Sequence, residues 1–197
     1  MTRKIILAST SPRRKILLEK TGLEFEICPS NYEEDMTLPM PPAELVKFLS
    51  KGKAESLVSA YPDALIIGSD VFISYKDKVL GKPHTVEKAK EMLQMLRGVQ
   101  HSVFTGFAVI DTKNNKVIDG AVETKVYFKN YSDEVIDDYI KNGDILEKAG
   151  AYAIQNAGEK ILERFEGNYD DILGLPVKEV LDALKEFDGY EYNNNTK

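Results

Sequence analysis

Arg13, Arg14 and Lys15 follow Ser11-Pro12 directly, and that order sets an electrical problem. Ser-Pro reads as a helix start, with Ser11 at the N-cap and Pro12 at the first helical position. The free N–H groups of a first helical turn already carry partial positive charge, so cations there need a reason. No acid follows until Glu19. A strand that feeds a helix N-terminus is a ready anion site, and arginine forks suit phosphate or carboxylate oxygens. The plain alternative is that carboxylates of the chain itself pair these arginines.

The other residues able to do chemistry are carboxylates and cations near loops. Asp70 in "ALIIGSDVF" stands at the end of an apolar run, where ligands of α/β sheets bind. On local sequence alone the plainer reading comes first, a turn aspartate bonding its own backbone. "YEED" (residues 32–35) offers a metal ligand or a solvated acidic loop. Lys51 and Lys53 in "KGKAES" lie on an amphipathic stretch, where surface lysine is the default. Lys82 in "VLGKP" sits in a rigid turn that could aim an ammonium at a phosphate. Gln155 in "AYAIQNAG" carries an amide that can read a base edge or simply face water. Acids for a divalent ion and cations for oxygens together suit phosphate chemistry.

Competing chemistries lack their residues. There is no G-x-S-x-G, Walker or G-x-G-x-x-G pattern. His84 and His101 have no cysteine or acid at zinc-ligand spacing. Cys28, the one cysteine, has no disulfide partner in the chain and reads as a small core filler in a reducing compartment.

Alternating helices and strands must position these groups, which makes the class α/β. Ile5–Ala8 reads as a strand, followed by a helix from Pro12 to about Thr21 with Gly22 as its stop. "FEICPS" reads as a second strand. A long helix is expected from Pro42 to about Ala60, with Leu45, Val46, Leu49, Ala54, Leu57 and Val58 as its apolar stripe. "ALIIG" has the character of a buried strand, and "VFISYKDKVLGKP" that of a hairpin turning at Lys76-Asp77. Thr85 caps a helix that stops at Gly98. Two or three strands follow, turning at residues 113–116, and then a helix capped by Ser132. "AGAYAIQNAG" reads as a loop of small residues. A short strand, a loop and a final helix from Pro176 complete the chain. Hairpins among the crossovers imply a mixed sheet.

The 197 residues are read as a single domain over 1–190, with 191–197 as a disordered tail. A net charge of −6 argues against non-specific binding of nucleic acid or acidic membranes. No apolar run reaches spanning length, and a cytoplasmic protein is expected.

Together these residues resemble the Maf family of nucleotide pyrophosphatases. The matching stretches are "LASTSPRRKILLEKTGLEFEI", the acid in "YEED", "KGKAES", "IIGSDV", "VLGKP", "KAGAYAIQ" and "EGNYDDILGLPV". They fall in the family's order from about Lys4 to Phe187. The resemblance implies an elongated, mixed-sheet α/β fold of two lobes around a central cleft, akin to inosine-triphosphate pyrophosphatases. It implies hydrolysis of a nucleoside triphosphate to the monophosphate and pyrophosphate with Mg²⁺ or Mn²⁺. Asp70 falls on the family's proposed general base and Glu34 on its loop acid, the two implied metal ligands. Lys82, together with Ser9, Arg13, Arg14 and Lys53, falls on phosphate-contacting positions. Arg13, Val71 and Gln155 fall on positions that sort members by substrate.

"KAGAYAIQ" is similar to the branch acting on dTTP and UTP, so related or modified pyrimidine triphosphates belong to the expected substrates. Two positions depart from that branch: Val71 replaces its usual threonine and Asn156 its usual glycine. Family habit suggests a homodimer, although no interface signature is visible. The rival expectation is a nucleotide-binding regulatory module linked to cell division, with little or no turnover. A phosphatase of the same fold, removing the terminal phosphate, is a second rival.

Overall fold

The computed structural model describes residues 3–76, 78–142, 145–188 and 190. In chain order the elements are β1 (Lys4–Leu7), α1 (Pro12–Glu19), β2 (Glu26–Ile27), α2 (Pro42–Glu55), β3 (Ala64–Tyr75), β4 (Lys78–Leu80) and α3 (Val86–Leu96). They continue as β5 (Gln100–Asp111), β6 (Lys116–Phe128), α4 (Asp133–Asn142), α5 (Ile154–Ile161), β7 (Leu162–Glu166), α6 (Tyr169–Leu173) and α7 (Val177–Leu184). The strand order is β2-β1-β3-β5-β6-β7, with β4 paired to β3. β1 lies parallel to β2 and β3, whereas β4 on β3 and β7 on β6 are antiparallel. The expected mixed α/β sheet is therefore present.

The chain forms two compact units. The first is drawn from Met1–Asp70, Thr105–Val122 and Gly174–Lys197, and the second from Val71–Phe104 and Glu123–Leu173. The long strand β3 passes from the first unit into the second between Asp70 and Val71. Residues 191–197, expected as a tail, lie outside the described set. Among the described residues no helix is long and apolar enough to cross a membrane.

In the first unit, the crossover helix α2 covers the parallel strands. Ile6, Ala8, Ala54, Leu57, Ala64, Ile66 and Ile110 form one buried cluster, with Cys28 packed against it. The apolar stripe of α2 is buried as its spacing requires, with Leu45, Val46, Leu49 and Ala54 inside; beyond the helix end Leu57 is buried and Val58 partly so. Glycines let this helix approach unusually closely. A Cβ on Gly68 would lie 2.2 Å from the Ser50 carbonyl oxygen, and one on Gly106 2.4 Å from that of Val46. Both clashes are with backbone, so no side-chain rotation could relieve them.

In the second unit, α3 and α4 pack over a separate core that includes Ile73, Leu93, Leu96, Val126, Phe128, Ile136 and Tyr152. The expected hairpin is present, with Tyr75 opposite Lys78, although Asp77 of its turn is outside the described residues. Thr85 accepts from the Lys88 N–H as its capping position predicts.

Three local expectations are corrected. The α-helix α2 ends at Glu55, and a 3₁₀ turn at Val58–Ala60 follows it. A short helix, α6, stands where a loop was expected. "AIQNAG" is also helical, not a loop, so Gln155 sits in the first turn of α5. Its asparagine and glycine weaken local helix propensity, but Ile154 and Ile161 are seven residues apart on one face and both buried. Packing outweighs propensity there.

Candidate active site

The first unit brings Ser9, Arg14, Glu34, Lys53 and Asp70 into one electrostatic group. β1 ends at Leu7 and delivers Ser9 to the start of α1. Ser11 takes the N-cap position with Pro12 at the helix start, as expected, but its side chain makes no capping bond. Instead the Ser11 N–H donates to Ser9 Oγ at 3.1 Å. Arg14 Nη1 donates to the same oxygen at 3.2 Å. Both lone pairs of that hydroxyl are thereby used, and its own hydrogen is left to donate outward.

Arg14 is buried, and its hydrogen-bond partners are neutral. Nε donates to the Gly174 carbonyl oxygen at 2.8 Å, and Nη1 to Ser9. Burial pulls the guanidinium below its ordinary pKa, while Asp70 and Glu34 act to hold it up. The first turn of α1 contains no acid. The guanidinium is thus aimed by neutral oxygens and answered only at a distance by two carboxylates. Arg13 lies next to it, half-buried.

Lys53 projects from α2, whose close seating on Gly68 and Gly106 brings it over Asp70, which lies in the middle of β3 and not at a strand end or in a turn as expected, because the two apolar runs around it form one continuous strand. Its ammonium is 2.5 Å from Asp70 Oδ1 and 2.7 Å from Glu34 Oε1. Asp70 is 3% exposed, and its second oxygen, Oδ2, has no hydrogen-bond partner among the described residues. Burial pushes the Asp70 carboxyl above the usual range. Lys53 opposes that shift, the Glu34 charge adds to it, and Arg14 opposes it again.

Glu34 comes from the 28–41 loop, which is tied along α2. The Ser30 and Ser56 hydroxyls are 3.0 Å apart, the Tyr32 N–H donates to Ser30 Oγ, and the Tyr32 ring covers Gly52. Beside Asp70, Ser69 is fully buried, with Oγ 2.7 Å from the Gly106 carbonyl and 2.9 Å from that of Gly174. Sequence reading assigned no role to Gly174. Its only local signal was a glycine two residues before a proline, in a stretch quoted for resemblance alone.

The remaining predicted residues belong to the second unit. Val71 is partly buried against that unit's core. Lys82 Nζ is 3.0 Å from Glu147 Oε2, with both side chains about half exposed, and His84 Nδ1 lies 3.6 Å from the other Glu147 oxygen. Gln155 is exposed on α5. Asn156 belongs to the same helix, and its side chain is outside the described set.

The donor set fits a hard divalent cation of the kind that shares its coordination with phosphate. Magnesium is commonly held by one or two carboxylates plus substrate phosphates and water. Glu34 and Asp70 supply two carboxylates, one with an unpartnered buried oxygen. Among the described residues no group of three or more His, Cys, Asp or Glu could form an all-protein cage. Within this unit the arrangement can neutralise a polyanion and hold a base in a low-dielectric pocket beside it.

The family described as Maf-like protein matches residues 4–187. A dTTP/UTP pyrophosphatase of Thermoanaerobacter sp. (strain X514) is 44% identical over 187 residues, covering 94% of this chain and 97% of that protein. The protein of the same description from Geotalea uraniireducens (strain Rf4) is 41% identical, covering 95% of this chain and 96% of its own length. One from Bacillus cereus (strain B4264) is 39% identical, with coverages of 94% and 96%. Among solved structures, the Ham1 protein of Staphylococcus aureus aligns with a TM-score of 0.49 at 11% identity, over 93% of this chain and 100% of that one.

Proposed function

The chain belongs to the Maf-like family, and on that premise we propose that it hydrolyses dTTP, UTP and related pyrimidine nucleoside triphosphates to the monophosphate and pyrophosphate. Relatives named dTTP/UTP pyrophosphatases align over nearly its whole length, which supports this substrate class. The observation that carries the reading is the Glu34–Lys53–Asp70 chain of contacts, buried at Lys53 and Asp70 and open to solvent at Glu34, beside an arginine aimed by neutral oxygens.

In this reading water attacks the α-phosphorus, the α–β anhydride bond breaks, and pyrophosphate leaves. Asp70 orients the water and takes its proton, a role that suits a carboxyl whose basicity is raised by burial. Ser9 donates its one remaining hydrogen to a phosphate oxygen. Arg14 and the third N–H of Lys53 neutralise the polyphosphate as negative charge moves onto the leaving group. A Mg²⁺ or Mn²⁺ ion, held by Glu34 and Asp70 when bound, would supply phosphate polarisation and a more acidic water.

Arg13 and Lys82 enter as further phosphate contacts, and Arg13, Val71 and Gln155 as the residues that select the nucleotide, Gln155 bonding the O4/N3 edge of a pyrimidine. These roles rest on the motif match. The test is a panel of nucleoside triphosphates with Mg²⁺ or Mn²⁺ and products resolved by chromatography. Pyrophosphate with preference for dTTP, UTP or a modified pyrimidine is expected. Orthophosphate would make the protein a phosphatase, and tight binding without product a nucleotide sensor.

A further inference from the structure

The Glu34–Asp70 pair already holds a cation of the protein's own. The Lys53 ammonium touches an oxygen of each carboxylate, at 2.7 Å and 2.5 Å. Its side chain is 10% exposed and that of Asp70 5%, so water does little to screen that contact, whereas Glu34 meets the ammonium from the solvent side at 35% exposure. Arg14, also buried, feels both carboxylates. Two carboxylates therefore face one ammonium and one guanidinium, so Lys53 and Arg14 already answer the charges of Glu34 and Asp70.

A divalent ion added alone would bring uncompensated double positive charge into this low-dielectric cluster, against two resident cations. A triphosphate changes that balance. Its oxygens accept from Lys53 and Arg14 and carry enough negative charge to offset the metal. Lys53 can turn from the carboxylates to the phosphates on its flexible stem, which releases Glu34 and Asp70 as ligands.

We propose that Lys53 is the resident counter-cation of the Glu34–Asp70 pair, and that a divalent metal joins this pair only together with a nucleotide's phosphate chain. The inference deepens the functional reading above and rests on it for the identity of the polyanion. It makes Lys53 the residue that couples metal binding to substrate binding.

The test uses Mn²⁺ and the full chain, read by water-proton relaxation and electron paramagnetic resonance, which need no turnover. The parent protein alone is expected to hold Mn²⁺ weakly. Adding an α,β-imido analogue of dUTP should tighten protein-bound Mn²⁺ by about tenfold or more, beyond the Mn²⁺–analogue complex measured without protein. Lys53→Met, checked for folding by circular dichroism, should bind Mn²⁺ without nucleotide about tenfold more tightly than the parent, because its two carboxylates lack their cation.

A parent protein that binds Mn²⁺ one-to-one as tightly without the analogue as with it overturns the proposal. So does a folded Lys53→Met variant that binds free Mn²⁺ no better than the parent. If Lys53→Met does not fold, the parent comparison with and without analogue decides alone. Binding of the analogue itself, followed calorimetrically without metal, is a separate readout. Its absence would count against the nucleotide reading, while the comparison of Lys53→Met with the parent in Mn²⁺ alone would still decide the role of Lys53.

Discussion

Arg14 Nε donates to the carbonyl oxygen of Gly174 at 2.8 Å, across 160 residues of sequence. The cations at the start of α1 are thus not a packing accident. One of them is buried and aimed by a backbone oxygen that carries no charge. Gly174 has φ +103°, a conformation open to glycine and strained for other residues. The same carbonyl also lies within reach of the Ser69 hydroxyl, so one glycine peptide orients groups on α1 and β3.

Gly174→Ala should therefore act on the site as well as on stability. A left-handed alanine costs about 1–2 kcal/mol, seen as a lower melting temperature. Turning the carbonyl away should loosen Arg14 and raise KM for the triphosphate about fivefold to tenfold. A variant with the parent's KM and kcat would show that Arg14 needs no such anchor.

Asp70→Asn removes the base but keeps an oxygen able to accept from Lys53. The variant should fold and bind nucleotide, while pyrophosphate release falls by about 100-fold or more. Chromatography of products over long incubations measures this. Turnover near the parent level would remove Asp70 from the proton-transfer role.

Activity should also carry an acid limb set by Asp70. Its carboxyl is raised chiefly by burial, so the ionised, proton-accepting form is lost at a higher pH than for an ordinary aspartate. The rising limb of kcat/KM against pH is expected above the usual carboxylate range. A limb within that range would mean another group controls the rate.

Lys82→Ala tests the second unit. Its ammonium is half exposed and paired with Glu147, so stability should change by less than about 1 kcal/mol. Triphosphate hydrolysis should weaken several-fold more than nucleoside binding, measured by comparing kcat/KM with nucleoside affinity. Matching kinetics would leave Lys82 a turn residue.

His101 predicts a pH effect on stability that is independent of catalysis. It is buried, with Nε2 2.9 Å from Tyr152 Oη and its ring edge-on to Phe128, and burial lowers its pKa to about 4. The unfolded chain takes up this proton near pH 6.5, but the folded chain only near pH 4. Stability is therefore lost as pH falls through that window, by about 2 kcal/mol between pH 7 and pH 5. In urea unfolding, His101→Phe should show a smaller loss over the same interval than the parent. An equal loss in both proteins would place the pH dependence elsewhere.

Local signals were legible wherever one element's own spacing carried them. The stripe of α2, the Ser11-Pro12 start of α1, the Thr85 cap and the β3–β4 hairpin follow from periodicity, capping and turn chemistry. The element that carries Gln155 was misread because Asn156 and Gly158 are weak helix formers, and a helix formed by packing leaves little trace in propensity. Local spacing left Lys53 a surface lysine, and only the resemblance singled it out, because a lysine on an amphipathic helix is normally solvated and nothing within "KGKAES" says which face meets β3.

The amino-acid sequence by itself determined the class of fold, most of its elements other than α5 and α6, and the residue types available for phosphate chemistry. Those depend on short-range spacing and on a pattern of motifs spread along the chain. Tertiary structure decided which charges answer each other. Gly68 and Gly106 let α2 close onto the sheet, and that approach places Lys53 between Glu34 and Asp70. Charge pairing falls off over a few ångströms, whereas these residues are 17 or more apart in the chain. Only the folded backbone brings them within that range.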